Sequence, residues 1–107
     1  MKNGKELQFL EVADLDQLPN GERLFLEIDG NPVVIFNIAG NYFAMDDLCT
    51  HDDGPIGEGE LDGHVVTCPR HGAKFDIRTG KALALPAVED LKTYPVKCEN
   101  NKILLGV

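Results

Sequence analysis

Tryptophan is absent from this sequence, basic side chains are few, and no apolar run approaches the length of a bilayer span. A transmembrane helix needs about 20 predominantly apolar residues, so no membrane anchor is readable. The opening Met1-Lys2-Asn3-Gly4-Lys5-Glu6 leads directly into strand-like sequence, without the apolar centre of a signal peptide. Lys and Arg number 10 against 18 Asp and Glu, a formal net charge of −8. That balance argues against nucleic acid or an anionic membrane surface as partner, and suits a basic patch on another protein. Cysteine is also scarce: three residues do not make a disulfide framework. The expectation from these absences is a cytoplasmic protein.

What is present points to β structure. The 107 residues make one domain with a modest core, 43% of them hydrophobic, and 11 Gly and 6 Pro punctuate the chain. Short strands and many turns fit this better than a helical bundle does. Leu7 to Val12 reads as a first strand. Between Glu22 and Asp29, Leu24, Leu26 and Ile28 alternate with Arg23, Phe25 and Glu27, the period of a half-buried strand. Asp29-Gly30-Asn31 supplies hairpin chemistry, and Pro32 to Ile38 is a continuous apolar run that predicts a buried strand. Ala39-Gly40-Asn41 turns the chain into Tyr42 to Met45. Val65 to Thr67 and Lys74 to Ile77 are short strands, and Tyr94 to Cys98 with Lys102 to Val107 form a closing hairpin around Glu99-Asn100-Asn101. Residues 46–63 are too polar and too rich in glycine for a strand or helix, and residues 84–90 read as a loop around Pro86. Asp14 to Leu18 suits one helical turn. The fold class expected is all-β.

Two segments carry chemistry: Cys49-Thr50-His51, and Cys68-Pro69-Arg70-His71 further along the chain. Each arm mixes one soft thiolate with one imidazole. Zinc fingers usually place two Cys in one arm and two His in the other. Mixed arms are what a 2Fe-2S centre needs when two Cys hold one iron and two His the other, which is the Rieske ligand set. Cys49 and Cys68 would take the inner iron, His51 and His71 the outer. A structural zinc site on the same four residues stays open, as does a Cys–His nucleophilic pair, although that would leave the second arm unexplained. Gly54 and Gly72 flank the arms, where the backbone must approach a cluster closely. Asp46, Asp47, Asp52, Asp53, Glu58, Glu60 and Asp62 could form an acidic rim that steers a basic partner. His64 reads as an exposed turn residue and Cys98 as a small strand residue. Arg70 either offsets the local acidity or is simply solvated.

Cys49-Thr50-His51, Cys68-Pro69-Arg70-His71-Gly72, Phe75-Asp76 and Arg78-Thr79-Gly80-Lys81-Ala82 together resemble the Rieske ferredoxins that feed electrons to bacterial ring-hydroxylating dioxygenases. The likeness runs from about Tyr42 to the C-terminus, including Leu85-Pro86-Ala87 and Tyr94-Pro95-Val96-Lys97. It implies Rieske-like stacked antiparallel sheets in a single domain over 1–107, with a small cluster-binding sub-domain at approximately 46–86. The loop around Pro86 would cover the cluster on the side opposite one ligand loop. The resemblance also implies one Rieske-type 2Fe-2S cluster on Cys49, His51, Cys68 and His71. The function implied is one-electron carriage from a flavoprotein reductase to a terminal oxygenase, as a monomer with no catalysis of its own. A small Rieske subunit of a nitrite-reductase-like or other oxidoreductase complex is the alternative.

Respiratory-type Rieske proteins resemble this chain at the ligands but carry a further Cys in each loop, paired as a disulfide. The matching positions here are Gly54 and Arg70. They also place a Ser and a Tyr after the second arm, whose hydroxyls bond a bridging sulfide and a ligand thiolate. Ala73 and Phe75 stand at those positions. Fewer donors leave more charge uncompensated on the reduced centre, so the resemblance implies a midpoint at the low end of the Rieske range, roughly −150 mV.

Overall fold

The computed structural model of the chain describes residues 8–49, 54–70, 72–85 and 89–107. Strands make up 53% of the described residues and helix 3%, arranged as several antiparallel sheets. In chain order the strands are β1 (Phe9–Asp14), β2 (Arg23–Ile28), β3 (Asn31–Ile38), β4 (Asn41–Asp46), β5 (Glu60–Asp62), β6 (Val65–Thr67), β7 (Lys74–Asp76), β8 (Ala82–Ala84), β9 (Thr93–Tyr94), β10 (Val96–Glu99) and β11 (Lys102–Gly106). They form a sheet of order β1-β11-β10, a second of order β2-β3-β4-β9 and a third of order β5-β6-β7-β8.

Three hairpins share one turn chemistry. Ile28 pairs with Asn31, Ile38 with Asn41 and Glu99 with Lys102, leaving two residues in each turn. Those residues, Asp29-Gly30, Ala39-Gly40 and Asn100-Asn101, all have positive φ. Such turns match the twist of the flanking strands. Alanine is unusual there. Its amide donates to Asn20 Oδ1 at 2.7 Å and that of Gly40 to Asn37 Oδ1 at 2.9 Å, which holds the turn.

The apolar run of β3 has a direct explanation: both of its faces are covered. Val33 and Ile35 enter a core with Ala13, Leu18, Ile103 and Leu105, while Val34 and Phe36 enter a second core with Ile56, Val66, Phe75 and Ile77. This strand is thus a wall shared by two cores, and its alternation is invisible in hydropathy. The first core joins the β1-β11-β10 sheet to one face of the β2-β3-β4-β9 sheet; the second, on the other face of that sheet, contains both arm cysteines.

Several sequence expectations need correction. The first strand begins at Phe9 and extends to Asp14, with Leu7 outside the described residues. Residues 60–62 do form a strand, and so do residues 82–84; both are only three residues long. Tyr94 to Cys98 is not one strand. It divides at Pro95, with Tyr94 paired to Ala44 in the second sheet and Val96 to Leu105 in the first. Proline has no N–H to give to a ladder, so the chain changes sheets there. The expected helical turn is a 3-10 turn at Leu15–Gln17, capped by Asp14.

Candidate functional site

Cys49 leaves β4 through Asp47 and Leu48, and Cys68 follows β6 directly. The two arms are closed alike. The amide of Cys49 donates to the carbonyl of Gly54 at 2.7 Å, and the amide of Cys68 to that of Ala73, also at 2.7 Å. Each bond spans the same separation along the chain, so each cysteine opens a loop whose ends are tied together. In the second loop Gly72 has a φ of 79° and its amide returns to the carbonyl of Cys68 at 3.1 Å. Glycine adopts that conformation without strain.

Both cysteines are buried, Cys49 at 0% exposure and Cys68 at 1%, in the core formed by Ile56, Val66, Ala73 and Phe75. None of the three cysteines is in a disulfide. His51, with Thr50, Asp52 and Asp53, and His71 lie outside the described residues, as do 86–88 of the loop around Pro86. Among the described residues no group of three or more His, Cys, Asp or Glu side chains converges. Two buried thiols, each at the mouth of a loop tied by the same bond, fit a site with soft sulfur ligation on its protein-facing side.

The segment after the first arm is fixed by contacts that composition does not reveal. Asp47 Oδ1 accepts the amides of Ile56 at 2.9 Å and Gly57 at 2.6 Å. Arg23 reaches across from β2 and donates to the carbonyls of Gly57 and Gly59, the latter at 2.7 Å. Arg70 Nη1, from the second arm, donates to the carbonyl of Pro55 at 2.8 Å. Asp46 accepts the hydroxyl of Tyr94, whose pKa is pushed above the ordinary tyrosine range by burial and by this carboxylate. Asp46 and Asp47 are therefore structural acceptors and leave the expected acidic rim. Glu58, Glu60 and Asp62 are exposed and remain available to it. Beyond the second arm, Arg78 pairs with Asp76 at 2.9 Å and holds that carboxyl below its usual range.

His64 is half-buried, with its ring edge-to-face on Phe43 at 5.5 Å, so it packs where the sequence reading left it exposed. Cys98 is exposed on β10, and desolvation pushes its thiol pKa up, the wrong direction for a nucleophile. Ala73 and Phe75 are fully buried beside the two cysteines, and neither has a hydroxyl. The loop around Pro86 is fastened at its base by Asp90 Oδ1, which accepts the amide of Ala82, and by the amide of Leu91 on the carbonyl of Gly80.

Residues 8–95 match the Rieske [2Fe-2S] domain. This chain belongs to that family. Its cofactor is one Rieske-type 2Fe-2S cluster. A ferredoxin component of the naphthalene 1,2-dioxygenase/salicylate 5-hydroxylase systems from Ralstonia sp is 38% identical over 97 residues, covering 91% of this chain and 93% of that protein. The ferredoxin of carbazole 1,9a-dioxygenase from Nocardioides aromaticivorans superposes with a TM-score of 0.84 at 31% identity, over 91% of this chain and 95% of its own. A chain from the complex of reduced oxygenase and oxidized ferredoxin in carbazole 1,9a-dioxygenase gives a TM-score of 0.83 at 26% identity, covering 91% of each. These relatives are electron-transfer components and not catalytic subunits. No helix among the described residues is long and apolar enough to cross a membrane.

Proposed function

We propose that this Rieske protein is a one-electron carrier to a terminal oxygenase, with its cluster held by Cys49, His51, Cys68 and His71. The observation that carries the reading is the pair of buried cysteines, each opening a loop closed by the same amide-to-carbonyl bond. The ferredoxin relatives and the ferredoxin–oxygenase complex with this fold support it. The whole chain acts as one Rieske domain, with residues 46–86 as its cluster-binding part. It works in the cytoplasm as a monomer, with a flavoprotein reductase as donor.

The bound cluster supplies a one-electron couple. The chain's own residues decide where that couple sits and at what potential. Cys49 and Cys68, buried in the core, would hold one iron away from water, and His51 and His71 would hold the other. Asp47 and Arg23 hold the segment at residues 56–59 that follows the first loop, without contributing ligands. Ala73 and Phe75 exclude water and donate nothing, which favours the oxidised state. Glu58, Glu60 and Asp62 add an exposed acidic surface suited to a basic docking face.

The test is reconstitution. The holoprotein is reduced by NADH through the flavoprotein reductase of a ring-hydroxylating system, then mixed with the oxygenase in a stopped-flow instrument. Rapid reoxidation, with oxygenase turnover that depends on the carrier, is expected. A His51→Ala variant should bleach and support no turnover. A protein that keeps its Rieske spectrum after that substitution contradicts the ligand set. A reduced wild-type protein that passes no electrons to any such oxygenase contradicts the carrier role.

A further inference from the structure

Gly72 and Gly54 are glycines for different reasons. Gly72 has a positive φ and open space where a side chain would be. Gly54 is not among the glycines of positive φ, so its backbone would accept another residue. Its surroundings would not. A Cβ built there would lie 2.5 Å from Arg70 Nη2, 2.7 Å from Cζ and 3.0 Å from Nε. The guanidinium therefore lies directly over the Gly54 backbone, while Nη1 donates to the carbonyl of the next residue, Pro55, at 2.8 Å.

The position of this contact matters more than its strength. Gly54 supplies the carbonyl that closes the Cys49 loop, and Arg70 lies inside the Cys68 loop. The two loops leave different sheets, from β4 and β6. One planar cation thus spans from the interior of one cysteine loop to the closing residue of the other. The acceptor of Nη1 is a neutral carbonyl, and the guanidinium plane lies against Gly54, so this contact depends on the shape of the group as well as on its charge. We propose that Arg70 is a positioning residue, a non-covalent clasp between the two cysteine loops that slows their separation and hence loss of the cluster. In this account Gly54 is glycine to make room for it. The inference rests on the ligand reading above.

The test is a double-mutant cycle on the holoprotein, read as the rate at which visible absorption bleaches in excess chelator. The reduced-state paramagnetic signal is recorded alongside to show that the ligands are unchanged. Arg70→Met should release the cluster about fivefold faster, as expected for one lost hydrogen bond worth ~1 kcal/mol. Arg70→Lys should fall between the two, because an ammonium reaches the Pro55 carbonyl but has no plane to lay over Gly54. Gly54→Ala should hasten release when Arg70 is present and change nothing in the Arg70→Met background. This last variant is small, and its backbone permits it, so it reports even if Arg70→Met loads poorly. Additive effects of the two substitutions would overturn the clasp, as would wild-type release from Arg70→Met. Full rescue by lysine would show that charge alone acts there, and would also overturn it. A wild-type protein without a Rieske spectrum would sink the ligand reading and the clasp together; normal spectra with unchanged release would sink the clasp alone.

Discussion

Restoring one hydroxyl at Phe75 should raise the midpoint potential by roughly 40 mV. The ring is at 0% exposure on β7, opposite Val66, in the same core as Cys49 and Cys68. By the resemblance to respiratory-type Rieske proteins, a tyrosine hydroxyl at this position donates to a ligand thiolate. Reduction adds a negative charge to the centre, so the donor bonds the reduced state more strongly. If the difference is ~1 kcal/mol, it corresponds to about 43 mV for one electron. Ala73→Ser should act in the same direction through a bridging sulfide, and the double variant should approach ~80 mV above the wild type. The opposing cost is stability, because a buried hydroxyl that finds no acceptor costs about 1–3 kcal/mol. Thermal unfolding therefore separates the outcomes. A Phe75→Tyr protein with a raised midpoint and near-native stability has made the bond. Spectroelectrochemical titration of wild type and variants at one pH is the assay. A midpoint unchanged or lowered in Phe75→Tyr, with the spectrum intact, would refute the reasoning, as would a wild-type midpoint above zero.

Other residues give independent tests. Asp47→Ala removes the acceptor of two loop amides and should cost about 2–3 kcal/mol in urea unfolding, with faster cluster loss; an unchanged midpoint of unfolding would count against the anchoring role. Tyr94 holds its proton more tightly folded than unfolded, so its contribution is intact below about pH 10 and is lost as pH rises beyond it. Tyr94→Phe should flatten that alkaline decline in a pH series of unfolding free energies, and an identical slope in both proteins would show that Tyr94 is not its source. If Glu58, Glu60 and Asp62 steer a basic partner, the bimolecular electron-transfer rate should fall steeply with salt, since screening acts over about 10 Å at 0.1 M. Neutralising the three should flatten the dependence; a wild-type rate indifferent to salt would remove the steering idea.

Much of this molecule is readable in its sequence because local chemistry and tertiary structure agree. The Asp29-Gly30 and Asn100-Asn101 turns are where hairpin residues predict them, and the alternation on β2 places Leu24 and Leu26 inward and Glu27 outward. The family and the two arm cysteines were legible because ligand chemistry demands particular residue types at short spacing. What was hidden depends on distant partners. Nothing near Asp47 in the sequence shows that the amides of residues 56 and 57 will converge on it, so it reads as one acid among many. Arg23 shares its phase on β2 with Phe25 and Glu27, and nothing in the sequence shows that the 57–59 segment covers this face, where the Arg23 side chain meets its carbonyls. The strands Glu60–Asp62 and Ala82–Ala84 are too short to show a period. The break at Pro95, by contrast, was written in the missing N–H and could have been anticipated. Gly54 and Arg70 were legible only as a missing disulfide; their contact required coordinates.

The most direct measurement of the central claim is pulsed electron paramagnetic resonance on the reduced protein, reading nitrogen couplings to the cluster. The account predicts a brown protein with one 2Fe-2S centre and strong couplings from two imidazoles, both lost when His51 and His71 are replaced. A reduced centre with no imidazole nitrogen coupled to it would contradict the ligand set. A colourless protein holding zinc would contradict the account as a whole.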